Sequence, residues 1–359
     1  SAYDQIKKNE IEPINITLKN LYLNNINIGE GILSSIISIT KNKYPTFSND
    51  KKTIKEVFNL FTRRYKIYED FFKEDLEIEN LVLFNGRFAS SKAIESGIYK
   101  YKSYVNLLYY ERSHCLERYT LQSYMTHNRE KVFQEINQFW DECDNHNEAS
   151  KIAKTFFNTK ISGISPDWFS FSKGIQEIEK TFTSKELEKY IQKGESKIIS
   201  YFTSSEDEFE SLGDIWIDKR FKLSQKEIIK EISRIAIKKN KIFVIRVHPN
   251  LINASKETKS SWYEFFDELP IKNTLIIREN DKLSSYKVIN NSELVVVYGS
   301  TIGIESLFLE KPVIVAGSSF YFGTKAKIFT AFNLEDLEKY INDISINYKN
   351  NKKKKKSIK

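Results

Sequence analysis

The sequence is poor in cysteine and has no long apolar run, and each shortage excludes a class of protein. Its two cysteines, Cys115 and Cys143, cannot build a disulfide framework and lie in no CxxC or Cys/His pattern typical of zinc. No stretch approaches the ~20 apolar residues of a membrane span, and the first ten residues lack the apolar core of a signal peptide. We expect a soluble, cytoplasmic protein without a structural metal.

Net positive charge is also scarce outside the end of the chain. The 359 residues carry 56 Lys and Arg against 48 Asp and Glu, which gives a formal charge of +8. Seven of those eight net charges lie in residues 347–359, where seven lysines stand with no acid. Because the remainder is nearly neutral, we expect no specific binding of nucleic acid.

The chain contains enough apolar residues to form the cores of globular domains. Hydrophobic residues make up 40% of the sequence and aromatic residues 14%, which excludes global disorder. At roughly 150 residues per domain, the length allows two domains. We predict an N-terminal domain over residues 1–195, mainly helical over 121–192, a C-terminal domain over 196–346, and a disordered lysine-rich tail over 347–359.

Short apolar strands that alternate with helices predict an α/β fold in both halves. From residue 197 the strand-like runs are KIISYFTS, KIFVIRVHP, TLIIRE, ELVVVYG and PVIVAG, with an acidic loop predicted over 205–214. Such runs are typical of a doubly wound parallel sheet that is buried on both faces. In the first half, the pattern predicts strands over residues 15–28, 81–84 and 104–110.

Small and polar residues follow several of these strands, as expected of a ligand site at the carboxyl edge of a parallel sheet. His248 is followed by Pro249, which biases the histidine away from helical geometry. In the turn Gly299-Ser300-Thr301, the hydroxyls could cap the next helix or, with its amides, hold a phosphate. Glu305, one helical turn further, could bind a ribose hydroxyl or face solvent.

These motifs resemble those of a known family. The segments IRVHPN, GSTIGIESLFLEKPVIVAG and SSFY are similar to the donor-side motifs of bacterial capsule polysaccharide biosynthesis glycosyltransferases, a group that includes Kdo transferases. The turn Asn85-Gly86-Arg87 and the run Tyr109-Tyr110-Glu111 resemble the acceptor-side half of that group. The resemblance implies a GT-B arrangement: two Rossmann-like domains, with the donor nucleotide on the second, the acceptor on the first and the reaction in the cleft between them.

The resemblance also implies roles for single residues. Donor contacts are expected from the histidine, the glycine turn and their neighbours: His248, Pro249, Gly299, Ser300, Thr301, Glu305 and Ser319. Acceptor contacts are expected from Gly29, Asn85 and Arg87. No metal and no other cofactor is expected, because GT-B enzymes neutralise the leaving phosphate with side chains and helix dipoles.

Glycosyl transfer passes through an oxocarbenium-like state and needs a carboxylate as base or nucleophile. Glu111 follows a strand of the first half, and Glu206, Asp207 and Glu208 follow the first strand of the second half. From the resemblance we assign the acid/base and nucleophile roles to Glu111 and Asp207, with Glu208 as a further candidate. Which of the three consecutive acids acts stays open, because the segment lacks the glutamine expected in Kdo transferases and could be a solvated loop.

The predicted function is transfer of a sugar from a nucleotide-activated donor, CMP-Kdo or a related CMP-sugar, to a bacterial capsule, another surface polysaccharide or a glycolipid. Two alternatives stay open. The same fold could serve a UDP-sugar transferase or a nucleotide-sugar epimerase. It could also serve a catalytically silent partner that binds nucleotide or glycan in a polysaccharide assembly complex.

The lysine tail has three interpretations. Consecutive lysines at a chain end are most simply solvated. They could instead attract anionic lipids, at about 1 kcal/mol per residue near the surface, or bind RNA without sequence preference. The family context favours the lipid interpretation, which places the protein at the inner face of the bacterial inner membrane.

Deleting residues 349–359 tests the lipid interpretation. The deletion removes most of the net positive charge, so it should weaken co-sedimentation with anionic vesicles and leave nucleotide affinity unchanged. If vesicle binding survives the deletion, the tail is only a solvated end.

Overall fold

The computed structural model describes residues 1–74, 77–113, 118–163, 182–192, 198–270, 272–323 and 328–344. The chain divides into two compact units. The first contains Ser1–Val132, Glu206–Ile217 and Asn253–Lys259, and the second contains Phe133–Ser205, Asp218–Ile252 and Ser260–Lys359. Both units are therefore discontinuous in sequence. Residues 133–195, which the sequence pattern assigns to the first domain, group with the second unit. The predicted lysine tail lies outside the described residues.

The described secondary structure alternates between helices and strands. The helices are α1 (Ala2–Lys8), α2 (Asn15–Leu18), α3 (Ile28–Thr40), α4 (Phe47–Lys73), α5 (Ala89–Tyr101), α6 (Arg129–Asp141), α7 (His146–Ile161), α8 (Phe182–Gln192), α9 (Glu206–Leu212), α10 (Gln225–Lys238), α11 (Lys256–Asp267), α12 (Ser285–Asn291) and α13 (Ile302–Phe308). The strands are β1 (Tyr22–Leu23), β2 (Ile26–Asn27), β3 (Asn80–Phe84), β4 (Asn106–Arg112), β5 (Tyr119–Gln122), β6 (Ile198–Phe202), β7 (Ile242–Arg246), β8 (Thr274–Ile277), β9 (Ser292–Val297), β10 (Val313–Val315) and β11 (Ile328–Thr330). A 3₁₀ helix covers Pro249–Asn253, and residues 334–344 are also helical.

The second unit contains the predicted parallel sheet. Its six strands lie in the order β11-β10-β9-β6-β7-β8, and every pairing is parallel. Every residue of β6, β7 and β9 is buried, which explains why these strands are rich in apolar and β-branched residues. The α/β class and the doubly wound sheet are confirmed. The strand order reverses between β6 and β9, where ligands of such sheets bind.

The first unit has a smaller, mixed sheet. Its strands lie in the order β3-β4-β5, with β3 and β4 parallel and β4 and β5 antiparallel. Helices α4 and α5 pack against each other, and Phe72, Ile98 and Val105 form a core between them and the sheet. The parallel pair carries Asn85 and Glu111 to the same end of the sheet, because both residues stand at the carboxyl ends of their strands.

Two predictions of local structure are wrong. The strand predicted over residues 15–28 is a short helix, α2, followed by the antiparallel hairpin β1-β2. The hairpin forms because Asn24 and Asn25 both adopt positive φ, which asparagine tolerates and a two-residue turn requires. The acidic loop predicted over 205–214 contains α9, whose first turn holds three acids beside the positive end of the helix dipole.

Gly29, which was expected to contact the acceptor, has a packing role in the structure. Gly29 lies in the first turn of α3, and a Cβ atom there would stand 1.8 Å from the carbonyl oxygen of Leu18. The glycine is needed because α2 and α3 pack at the backbone. Its acceptor contact stays a prediction.

No helix among the described residues is long and apolar enough to cross a membrane.

Replacing Gly29 with alanine tests this packing. Because the obstructing atom belongs to the backbone of α2, we expect Gly29→Ala to destabilise the first unit by about 2 kcal/mol, measured by thermal and denaturant unfolding. Gly97→Ala is the matched control, since its Cβ would lie 3.1 Å from a side-chain atom of Phe72 and 3.6 Å from the nearest backbone atom. Equal effects of the two substitutions would contradict the argument.

Candidate functional site

A tight turn at the end of β3 places Asn85 against the end of β4. Asn85 and Gly86 have φ values of +63° and +83°, and the Asn85 amide N–H donates to the carbonyl of Tyr110 at 2.9 Å. A Cβ on Gly86 would stand 2.6 Å from the Tyr109 ring, so residue 86 must be glycine for both reasons. The predicted turn is thus present, and it fixes the direction of the Asn85 side chain.

The Asn85 amide group joins Glu111 to His127. Its Nδ2 donates to Glu111 Oε2 and lies 3.2 Å from His127 Nε2. An amide nitrogen has two hydrogens and no acceptor, so His127 accepts at Nε2 and, when neutral, carries its proton on Nδ1. Burial lowers the pKa of His127 to about 4, and the Arg87 guanidinium adds to this effect. His127 is therefore a neutral acceptor at pH 7.

Two buried polar atoms of this turn have no hydrogen-bond partner among the described residues. They are Asn85 Oδ1, on a side chain that is only 3% exposed, and Arg87 Nε. One is an acceptor and the other a donor. Leaving such a group unpaired costs about 1–3 kcal/mol. A hydroxyl group can both donate and accept, so this turn has the hydrogen-bonding groups that a sugar hydroxyl or a water molecule would satisfy.

Arg87 connects the turn to α3 and α9. Its Nη1 donates to Ser34 Oγ at 3.2 Å and to Ser211 Oγ at 2.9 Å. Burial lowers the pKa of the Arg87 guanidinium, whereas the carboxylates of Glu111 and Glu208 oppose that shift. Both carboxylates therefore lie within electrostatic range of one cation. We call Asn85, Arg87, Glu111, His127 and Glu208 the carboxylate cluster.

The three consecutive acids of α9 have different environments. Glu206 lies 3.7 Å from the Lys43 ammonium group, and the Asp207 side chain is buried at 6% exposure. Glu208 has an exposed side chain. Partial desolvation of its carboxyl group and the neighbouring Asp207 charge nevertheless raise the pKa of Glu208 to about 6, against the opposing effect of Lys41 and Arg87. Of the three carboxylates, that of Glu208 is thus both exposed and raised in pKa, whereas that of Asp207 is buried.

His127 was missed by the sequence analysis, which singled out only His248 among the histidines. His127 follows β5, and the antiparallel pairing of β5 with β4 returns the chain toward Glu111. That pairing is the only signal that could have indicated its position, and no local motif marks it.

In the second unit, His248 lies just beyond β7. Its backbone N–H donates to Oγ1 of Thr203, which follows the neighbouring strand β6, at 2.7 Å. Its ring Nδ1 accepts from the Asn250 backbone N–H at 3.2 Å. The neutral ring therefore carries its proton on Nε2. Burial lowers the pKa of His248 to about 4, with a further contribution from Arg246. His248 can act as a neutral hydrogen-bond donor, and Pro249 begins the 3₁₀ helix that positions Asn250.

The buried side chain of Tyr321 supports the glycine turn after β9. The Tyr321 hydroxyl donates to the Ser300 carbonyl at 2.6 Å, and a Cβ on Gly303 would stand 2.3 Å from that hydroxyl oxygen. Ser300 Oγ accepts from the Ile302 N–H at 3.3 Å, so it caps the short helix α13. Thr301 is exposed and makes no side-chain cap. Gly299 completes the turn with a φ of +143°.

Glu305 and Ser319 have protein partners. Glu305 is 3% exposed, accepts from the Tyr286 hydroxyl at 2.8 Å and pairs with the Lys160 ammonium group at 2.8 Å. Ser319 is fully buried, and its Oγ accepts from the Phe322 N–H at 3.2 Å. These contacts give both residues a packing role. Their predicted contacts with a nucleotide stay predictions.

Among the described residues, no group of three or more His, Cys, Asp or Glu side chains is placed to hold a metal ion.

The second-unit motifs fall inside a family match. Residues 170–325 match the model of a family described as capsule polysaccharide biosynthesis proteins. The chain resembles that family. The match contains His248, the glycine turn and Ser319, and it also contains the acids of α9, while Asn85, Glu111 and His127 precede it. No curated protein matches the sequence.

Several solved structures are similar at low identity. The β-Kdo 2,4 transferase of Thermosulfurimonas dismutans is 14% identical, with 71% of this chain and 77% of that chain covered and a TM-score of 0.41. The β-Kdo 2,7 transferase of the same organism is 15% identical, with coverages of 76% and 78% and a TM-score of 0.40. The UDP-GlcNAc 2-epimerase of Methanocaldococcus jannaschii is 18% identical, with coverages of 45% and 41% and a TM-score of 0.32. The match thus spans less than half of that epimerase, and none of these similarities assigns an activity.

The two buried histidines should be neutral but should carry their protons on opposite nitrogens. Long-range ¹⁵N–¹H spectra at pH 7 should show an Nδ1–H ring for His127 and an Nε2–H ring for His248. Because burial lowers both pKa values to about 4, neither ring should titrate between pH 7 and 5. His146, for comparison, stacks on the Trp140 ring rather than accepting an amide. Titration of His127 or His248 near pH 6.5, or the same tautomer for both, would contradict the geometry.

Proposed function

We propose that the protein is a glycosyltransferase that moves a sugar from a nucleotide-activated donor to a saccharide or glycolipid acceptor of a bacterial surface polysaccharide. The observation that carries the proposal is the carboxylate cluster. In it, the carboxylates of Glu111 and Glu208 lie within electrostatic range of the Arg87 guanidinium, and the Asn85 oxygen has no hydrogen-bond partner among the residues that the structure describes. The family match over residues 170–325 supports the surface-polysaccharide class. We propose a CMP-linked donor, Kdo or a related sugar, from the resemblance of the His-Pro and Ser-Thr motifs.

The second unit is proposed to bind the donor nucleotide. The His248 Nε2–H and the exposed Thr301 hydroxyl can donate to phosphate oxygens at the carboxyl edge of the parallel sheet. Because His248 is neutral at pH 7, it would stabilise the leaving phosphate as a hydrogen-bond donor rather than as a cation. Phosphate neutralisation by side chains needs no metal, so transfer should persist in EDTA.

The first unit is proposed to bind the acceptor and to supply the carboxylates. Asn85 Oδ1 would accept a hydrogen bond from an acceptor hydroxyl. Glu208, with its pKa raised to about 6, is mostly ionised at pH 7.5 and is a stronger base than an ordinary glutamate. It would remove the acceptor proton, while Glu111, oriented by the Asn85 amide, would face the positive charge of the oxocarbenium-like state or act as nucleophile.

A nucleotide screen and four variants test this division of roles. The screen measures thermal stabilisation by CMP, UDP, GDP and CDP, because a ligand stabilises the folded state according to its affinity. Glu111→Gln and Glu208→Gln should lower transfer at least 100-fold without changing nucleotide affinity, whereas His248→Ala should weaken nucleotide binding. Glu210→Gln is the control on α9, since its carboxylate accepts from Asn15 Nδ2 at 3.2 Å and glutamine keeps an acceptor there.

Each outcome distinguishes the proposed function from one of the alternatives. Preference for UDP would reject the CMP donor and keep the transferase. Interconversion of nucleotide sugars without acceptor would identify an epimerase. Nucleotide binding with no transfer to any tested acceptor would identify a binding partner. Transfer that survives both carboxylate substitutions would refute the catalytic assignment.

The pH profile checks the role of Glu208. A base with a pKa near 6 loses activity as the pH falls through 6, by about tenfold per unit further down. Glu208→Gln should abolish this acidic limb and leave a low rate that no longer depends on pH in that range. An unchanged acidic limb in Glu208→Gln would assign the base to another residue.

A further inference from the structure

The loop between α9 and α10 carries an exposed arginine that is held in one orientation. Arg220 Nε donates to Asp218 Oδ1 at 3.0 Å and Nη2 donates to Asp218 Oδ2 at 2.7 Å. The Arg220 backbone N–H also donates to Oδ1 at 3.0 Å. Asp218 is buried at 7% exposure, whereas the Arg220 side chain is 63% exposed. The buried carboxylate therefore fixes one edge of a guanidinium whose remainder faces outward.

Aromatic rings hold the plane of this guanidinium. Its central carbon lies 5.6 Å from the centre of the Phe322 ring and 5.0 Å from that of Phe332. Phe221 packs on both rings, at centroid distances of 5.2 Å and 4.9 Å. Contact with aromatic faces favours a cation, and the hydrogen bonds that Arg220 donates to Asp218 raise the pKa of Arg220. The group is permanently charged and has little rotational freedom.

The Asp218–Arg220 pair does not serve to join separate parts of the fold. The two residues are neighbours in one loop, and the arginine is largely exposed, so their ion pair contributes little to the stability of the fold. Arg234 provides the contrast, because it bridges Glu231 of its own helix and Glu338 of the helix at 334–344. Arg220 Nη1 has no hydrogen-bond partner among the described residues. Two nitrogens, Nη1 and Nη2, therefore present an outward fork that matches a carboxylate or phosphate.

The position of the loop connects Arg220 to the proposed donor site of the second unit. The Asp218 N–H donates to Ser318 Oγ at 2.7 Å, and Ser318 opens the turn after β10. Phe322, under the guanidinium, follows Tyr321 in that turn, and Tyr321 holds the Ser300 carbonyl of the glycine turn. The same turn after β10 thus supports both the glycine turn and the arginine.

We propose that Arg220 binds an anionic group of the nucleotide-activated sugar, either a phosphate or a carboxylate, through its outward fork. This inference rests on the proposed function, because it requires a nucleotide-sugar donor in the second unit. Asp218 acts as the positioning residue, since its carboxylate accepts from Arg220 Nε and Nη2 while its backbone N–H donates to Ser318. No motif in the sequence marks either residue.

Calorimetric titration of the full chain tests the inference. The variants are Arg220→Gln, Arg220→Lys and the matched control Arg234→Gln, another exposed arginine with carboxylate partners in the same unit. Comparison of CMP with cytidine isolates the phosphate, and comparison of CMP-N-acetylneuraminate with CMP isolates the carboxylate. If the nucleotide screen selects UDP, then UDP replaces CMP, uridine replaces cytidine and UDP-glucuronate replaces CMP-N-acetylneuraminate.

The two sources of the anion give different results. If Arg220 binds the phosphate, Arg220→Gln weakens CMP about tenfold or more and leaves cytidine unchanged. If it binds the carboxylate, Arg220→Gln leaves CMP unchanged and weakens the acidic CMP-sugar. Arg220→Lys should restore part of the affinity, because it keeps the charge and loses the fork. Binding of every ligand by Arg220→Gln as tightly as by Arg234→Gln would overturn the inference.

A second measurement keeps the inference distinct from the proposed function. The Arg220 Nε–H, held by Asp218, should give a resolved side-chain NMR signal that moves when pyrophosphate or free Kdo is added. If wild-type protein binds no nucleotide in calorimetry, the proposed function fails, whereas movement of this signal still supports an anion site at Arg220. Absence of any movement with either probe rejects that site.

Discussion

The arrangement of the carboxylate cluster depends on a single amide group, that of Asn85. Its nitrogen donates to both Glu111 and His127, so one side chain sets the direction of two titratable groups. That side chain can take its place only because the backbone turns through positive φ at two successive residues. The shape of a turn thereby determines the electrostatics of the cluster. It directs the Glu111 carboxylate toward the region of Arg87, and it leaves Asn85 Oδ1 without a hydrogen-bond partner in the described part of the chain.

The two buried histidines show how neighbours select the role of a ring. Burial lowers the pKa of each to about 4, so both are neutral at pH 7. The partner then decides the tautomer, because an amide N–H occupies Nε2 of His127 and Nδ1 of His248. His248 thereby carries its proton on Nε2, whereas His127 carries its proton on Nδ1 and accepts from Asn85. Residues of one type at similar burial have opposite hydrogen-bonding roles.

Local sequence patterns predicted those features of the fold that depend on residues close together in the sequence. The buried strands of the second unit, and the positions of His248 and Glu111 beyond or at the ends of strands, follow from apolar runs and from what comes after them. The hairpin at Asn24 and Asn25 was missed because apolar residues alternate both before and after the turn, and the change of phase at these two residues was overlooked. His127, Arg220 and the partners of Glu305 could not be predicted, since each depends on contacts between residues far apart in sequence or on loop geometry without a motif.

Several residues of the donor-side motif in the second unit have packing roles that the sequence did not indicate. Fewer residues of the motif therefore need a ligand to explain them. Gly303 is small because Tyr321 occupies the space above it, Glu305 is bound by Tyr286 and Lys160, and Ser319 caps its own turn. A motif residue with a complete set of protein partners can be required by the fold alone. The Thr301 hydroxyl is exposed, and the Arg220 guanidinium presents Nη1 and Nη2 outward. One of these groups is a neutral donor and the other is a cation, so both are chemically suited to the anionic sugar donor that we propose for the second unit.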